Sequence, residues 1–174
     1  MKMNIRDLVS KSGQVRFTED LDIGGLFQGQ GDVLRVDPLH VDVVAKADSG
    51  IVDVSGTLTL PVEFACSRCL SHYGQRLTIP FRERFTRDKE HLEEGDDEEN
   101  ELFVMEEDVV DLTPFVEEGV HLGLPYIPLC MPECKGLNPE TGANLNIDPA
   151  AVPEPRIDPR LAVLQQLFDN GNEK

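Results

Sequence analysis

A long alternation of side chains constrains this chain more than any other feature. Val52, Val54, Leu58, Leu60, Val62 and Phe64 fall at period 2, with Gly56 in the one vacant place. A β-strand turns successive side chains to opposite faces, so the run predicts one long strand with a continuous apolar side. Leu77, Ile79, Phe81 and Phe85 repeat the pattern, alternating with Arg76, Arg82 and Arg84. The two runs predict antiparallel strands with Cys66-Ser67-Arg68-Cys69 at their connection. Upstream, Val41, Val43, Ala45 and Ala47 also alternate, and Asp48-Ser49-Gly50 reads as a hairpin turn. Gly56 predicts a bulge or a sharp bend.

The remaining segments carry weaker signals. Met3–Leu8 is short and mixed, and Gln14–Leu21 alternates around Val15, Phe17 and Leu21. Gly24–Gly31 lacks the Lys-Ser/Thr of a phosphate loop and reads as a turn between strands. Val33–Ala47 reads as one extended run. Leu102–Met105 predicts a short strand. Asp111 reads as a helix N-cap with Pro114 in the first turn, and Leu112, Phe115, Val116 and Val120 give an apolar stripe at helical spacing. Cys130–Asn146 reads as an irregular knuckle. Ile147–Ile157 carries three prolines and reads as extended, followed by a short C-terminal helix opened by Asp158-Pro159. The expected fold is α+β: an antiparallel sheet of about five strands, or a partial barrel, with one packed helix and a short C-terminal helix. The expected organisation is one domain over 1–146 and an extended segment with a helix over 147–174.

Charge narrows the function. The 174 residues carry 16 Lys+Arg against 33 Asp+Glu, a formal net charge of −17. Nucleic-acid binding draws its affinity from Lys and Arg on phosphates, and this chain repels a polyanion on average. Of the 14 residues 88–101, nine are Asp or Glu, and only Leu92 is apolar. Such a block cannot bury enough surface to offset its ordering entropy, so it reads as a flexible acidic loop inserted in the domain. It serves either solubility or the shielding of a very basic protein. Arg68, Arg76, Arg82, Arg84 and Arg87 cluster in and around the third strand. They read either as a solvated face paired with acids across the ladder or as an RNA-contacting stripe. Met1–Asp20 has no apolar core of the signal-peptide kind, and no apolar run approaches the ~20 residues of a membrane span. The expectation is a cytoplasmic protein with no membrane contact.

Four cysteines form two pairs, Cys66/Cys69 at CxxC spacing and Cys130/Cys134 one residue wider. Brought together, they would make a closed four-thiolate zinc site. Reduced thiols without metal and a redox-active CxxC remain as alternatives. A redox CxxC belongs at a helix N-terminus, and these flanks read as strands. The four histidines, His40, His72, His91 and His121, show no ligand-like spacing, and no catalytic set is visible.

Two segments together resemble one family. The first is Phe64-Ala65-Cys66-Ser67-Arg68-Cys69-Leu70. The second runs from Leu122-Gly123-Leu124-Pro125-Tyr126-Ile127-Pro128-Leu129-Cys130 through Cys134-Lys135-Gly136-Leu137 to Gly142-Ala143-Asn144-Leu145-Asn146. With Asp111-Leu112 before it and Asp158-Pro159-Arg160-Leu161 closing the chain, this resembles the YceD family of large ribosomal RNA subunit accumulation proteins. The resemblance implies a non-enzymatic role in accumulating 23S rRNA and in large-subunit assembly, with no small-molecule substrate. Many relatives carry a further CxxC where this chain has Asn138 and Thr141, so metal binding here rests on Cys66 and Cys69 joining Cys130 and Cys134. The expected partner is a basic large-subunit ribosomal protein, 23S rRNA, or both. A direct rRNA contact through the arginines and a CxxC thiol oxidoreductase are the other two readings.

Overall fold

The computed structural model describes residues 1–11, 13–88 and 102–148. The chain divides into two compact units, Met1–Cys130 and Met131–Lys174. The acidic block from 89 to 101 and the C-terminal helix expected from 158 onward lie outside the described residues, as does most of the Pro-rich segment.

Among its described residues, the first unit contains eight strands and two α-helices: β1 (Lys2–Asn4), α1 (Ile5–Lys11), β2 (Gln14–Leu21), β3 (Val33–Val36), β4 (Leu39–Asp48), β5 (Ile51–Ala65), β6 (His72–Thr86), β7 (Leu102–Val104), β8 (Val109–Asp111) and α2 (Thr113–Gly123). The fold class is α+β. The main sheet runs β2-β4-β5-β6-β7, and β3 pairs with β5 off that path. Its end strands pair no further among the described residues, so the sheet stays open rather than closing into a barrel. It has six strands instead of about five, and β7 lies parallel to β6 in an otherwise antiparallel ladder. A second, two-stranded sheet joins β1 to β8.

The spine is the pair of 15-residue strands β5 and β6, in unbroken register from Ile51↔Thr86 to Ala65↔His72. Val52, Val54, Leu58, Leu60, Val62 and Phe64 are all buried, as are Leu77, Ile79, Phe81 and Phe85. The turn from β4 to β5 places Ser49 and Gly50 at φ 49° and 84°, the two left-handed residues of a type I′ hairpin. The expected single run Val33–Ala47 is broken at Asp37-Pro38. Pro38 cannot continue a ladder, so β3 pairs with the Val62–Phe64 end of β5 and β4 with its Ile51–Thr59 end.

Gly56 makes no bulge. Its register with Val43 is regular, and its role is close approach: a Cβ there would lie 2.1 Å from the Asp42 carbonyl oxygen and 2.6 Å from Val43 Cα. Phe81 stands opposite Gly56 on β6, and α2 seats Gly119 on the Phe81 ring. Gly123, one turn on, lies over Ile79. Val116 and Val120 complete the buried stripe of α2, and Phe115 packs edge-on against Phe85 and Phe103 at 5.0 and 4.9 Å. The helix starts one residue later than expected. Asp111 lies outside it, and its carboxylate accepts hydrogen bonds from the Thr113 N–H (3.0 Å) and hydroxyl (2.7 Å).

Two segments differ from the expected reading. Ile5–Lys11 is a helix whose seven residues are too few for a periodic signal, and Ile5 and Leu8 are its buried residues. Gly24–Phe27 is a 3-10 turn that buries Phe27 instead of a plain loop. The second unit's described residues, 131–148, form neither helix nor strand beyond an isolated Leu137↔Asn144 bridge.

Candidate metal centre

The turn between β5 and β6 is tied at both ends. Cys66 N–H donates to the Ser71 carbonyl (2.9 Å), and Leu70 N–H donates to the Cys66 carbonyl (2.9 Å). Closing it places Leu70 at φ 57°, a left-handed conformation that costs a non-glycine residue ~1 kcal/mol. The same turn aims backbone donors at sulfur. Burial pushes the Cys66 thiol up, but backbone N–H groups of Cys130, Cys69 and Arg68, with the Cys69 thiol, outweigh it and bring it down to about 6. The α2-to-Cys130 segment docks on this turn through Ser67 N–H to the Pro128 carbonyl (2.9 Å). That brings Cys130 Sγ to 3.6 Å from Cys69 Sγ, well outside the ~2.05 Å of a disulfide.

Four thiolates at ~2.3 Å from one ion sit about 3.8 Å from each other in a tetrahedron. The Sγ atoms of Cys66, Cys69 and Cys130, all in the first unit, lie within 4.8 Å of one another. Cys66, Cys69 and Cys134 are buried and Cys130 is half-buried. The donor set is soft, converging and shielded, and it can hold a metal ion. Two further polar side chains accompany the cysteines, one in each unit. Asn146 Nδ2 donates to Cys134 Sγ (3.2 Å), and its Oδ1 accepts from Lys135 N–H (2.8 Å). The Tyr73 hydroxyl is buried with no hydrogen-bond partner among the described residues. Its pKa is raised by burial first and then by negative charge on Cys66 and Cys130. No spacing rule marks either residue, since Tyr73 reads as one more strand position.

Asn138, at a position where a relative's cysteine was expected, is buried and organises its loop by hydrogen bonds. Its Oδ1 accepts from Glu140 N–H (2.7 Å) and Thr141 N–H (3.0 Å). Gly142, at φ 71°, donates back to the Asn138 carbonyl (2.8 Å). Amide chemistry thus closes this turn without sulfur.

The arginines are spread rather than gathered. Arg76, Arg82 and Arg84 share the outer face of β6, but Arg76 to Arg84 spans about 26 Å of strand. Arg82 pairs with Asp53 (3.0 Å), and Arg87, past the strand end, pairs with Asp108. Arg84 lines a shallow groove of about 590 Å³ with Lys46, Arg82, Asp48 and Asp53. Arg76 lines another with Arg35, Asp37 and Glu63. Arg68 is exposed in the cysteine turn. Among the described residues, no helix is long and apolar enough to cross a membrane.

The family described as "Large ribosomal RNA subunit accumulation protein YceD" matches residues 54–168. That span starts in β5 and takes in all four cysteines. The chain belongs to the YceD family. An uncharacterized protein of Mycobacterium tuberculosis is 34% identical over 139 residues, covering 80% of this chain and 64% of that protein. The chain therefore spans less than two thirds of the length of these mycobacterial relatives. The uncharacterized protein YlbN of Bacillus subtilis is 29% identical over 163 residues, 90% of each chain. No solved structure matches the chain significantly.

Proposed function

We propose that this YceD-family chain is a non-enzymatic, cytoplasmic factor for accumulation of large-subunit rRNA, acting by escorting a basic ribosomal protein. Membership of the family supports the ribosomal setting. The net charge of −17 carries the escort reading, because a chain so acidic attracts a cationic protein and repels rRNA. The pairing of Arg82 with Asp53 and of Arg87 with Asp108 supports it further, since two of the five candidate cations are already partly neutralised. Release is then a competition: rRNA carries the denser charge and draws the basic protein away.

The experiment is binding of the full chain to basic large-subunit proteins and to 23S rRNA fragments, at about 50 and 200 mM salt. The expected result is salt-sensitive binding to a ribosomal protein and weak binding to RNA. Micromolar affinity for rRNA with none for any of the proteins overturns the reading. The second reading, direct rRNA contact, is favoured by one observation: Arg76 and Arg84 face outward and make no ion pair among the described residues. An R82E/R84E variant that binds RNA as the parent does removes it.

Cys66, Cys69, Cys130 and Cys134 hold a structural zinc in this proposal. Four thiolates leave no open coordination position, so the ion supplies rigidity and no chemistry on a substrate. A thiol oxidoreductase needs a depressed thiol within reach of its substrate. Cys66 has the depressed thiol, but it is fully buried, and its CxxC joins two strands.

A further inference from the structure

The two ends of the main sheet differ. At one end β7 is three residues long, too short to template another strand. At the other end β2 runs for eight residues in unbroken register with β4, from Gln14↔Lys46 to Leu21↔Leu39. No other strand pairs with β2 among the described residues, and six of its eight residues are exposed. It carries no proline, bulge or lysine, and its edge protection is limited to the charges of Arg16, Glu19 and Asp20.

The side chains of β2 are complementary to themselves. We propose that β2 pairs with β2 of a second copy of this chain, antiparallel, about a two-fold axis at Thr18. An axis normal to the sheet keeps every side chain on its own face, so opposed residues differ by an even number of positions. With the axis at Thr18, Arg16 faces Asp20 of the second copy, and the pair occurs twice. Val15 faces Leu21, also twice, and Thr18 faces Thr18. Opposite charges, apolar pairs and threonine pairs are the cross-strand combinations that stabilise a ladder. Neighbouring registers lose this match. An axis at Phe17 sets Arg16 against Thr18 and Val15 against Glu19, and an axis at Glu19 sets the two Glu19 carboxylates face to face.

The side chains are already placed for such a pairing. Arg16 is held on the outer face by Asp42 at 2.6 Å, and Asp20 by His40 at 2.7 Å. Arg16 and Asp20 nonetheless leave 66% and 70% of their side chains open to a partner. On the inner face, Val15 is 42% exposed, and with Phe17 it lines a groove of about 360 Å³ that Lys2, Asp7 and Lys11 also line. The Thr18 register puts Glu19 of the second copy opposite Phe17, at that groove. The occupant therefore brings an anion to the side where this unit offers two lysines against one aspartate, Asp7.

One strand pair between copies each carrying −17 makes a weak, salt-assisted dimer. Sedimentation equilibrium at about 0.15 M salt, where the Debye length is ~8 Å, is the suitable measurement. The full chain is expected to dimerise in the micromolar range. R16D sets carboxylate against carboxylate in both cross-strand pairs, and D20R sets guanidinium against guanidinium. Each variant alone should therefore dimerise at least about tenfold more weakly. An equimolar mixture of the two opposes aspartate to arginine at both places and should recover the parental affinity as a heterodimer. A parent that stays monomeric up to about 1 mM overturns the proposal, as does a mixture no tighter than its components. Amide hydrogen exchange on the parent is independent of whether the variants fold. Raising the concentration should protect backbone amides within 14–21, and a dimer that forms with those amides unchanged places the interface elsewhere.

Discussion

Gly56→Ala is the sharpest test of the architecture. A Cβ at Gly56 would meet the Asp42 carbonyl oxygen at 2.1 Å and Val43 Cα at 2.6 Å, whereas real Cβ contacts essentially never fall below 3.0 Å. The obstructing atoms are backbone, so no rotamer relieves the clash. Strand β4 must retreat by about 0.9 Å at the Val43↔Gly56 pair, in the middle of a ladder that is continuous on both sides. Two ladder hydrogen bonds stretched or lost cost ~1 kcal/mol each, and overpacking adds ~1–3 kcal/mol. The expected destabilisation is about 3–5 kcal/mol, read from urea unfolding at unchanged m and as a fall in Tm of about 10–15 °C. Gly74→Ala is the internal control. Gly74 lies on the same sheet with nothing within 4 Å of its would-be Cβ, so the change should be neutral or slightly stabilising. A Gly56→Ala protein destabilised by less than about 1 kcal/mol, or no more than Gly74→Ala, would refute the reasoning.

Two further outcomes follow from the sites. Zinc at a large excess over its dissociation constant should raise the Tm of the parent, since at 1,000-fold excess the linkage is worth ~4 kcal/mol, and chelation should reverse the rise. Cys69→Ser and Cys130→Ser should lose that response and the cobalt–thiolate absorption band; a zinc shift that survives both means that the four sulfurs are not the ligands. The second concerns Asp111, whose carboxyl is held down to about 2 by the Thr113 backbone N–H and hydroxyl, with the N-terminal ammonium assisting. Its folded pKa lies below its unfolded value near ~3.9, so its stabilisation is complete above about pH 4 and lost as pH falls towards 2. Urea midpoints of Asp111→Asn and parent should differ at pH 5 and converge near pH 2, and a constant gap across that range would count against the charge.

The alternation in β4, β5 and β6 made the sheet legible, because burying one face of a strand leaves a period-2 trace whatever the fold around it. The cysteine pairs were legible for the same local reason. Helix α1 was not, since seven residues give barely two turns and their apolar face is filled by tertiary packing. The break at Pro38 was visible as a residue but not as the place where β3 and β4 divide β5 between them. Asp111 looked like a cap and does capping work from outside the helix, an offset of the kind that sequence patterns do not resolve.

By itself the sequence determined which faces are apolar, where the chain turns, how acidic it is and which residues carry soft ligands. Each of these rests on neighbours within a few positions. Only the tertiary structure decided that Cys130, 61 residues after Cys69, lies 3.6 Å from it, that Gly56 is needed for close approach rather than for a bulge, and that β2 ends the sheet with no further strand on its edge among the described residues. Those facts depend on how elements distant in the chain pack, and side-chain periodicity carries no record of distance between segments.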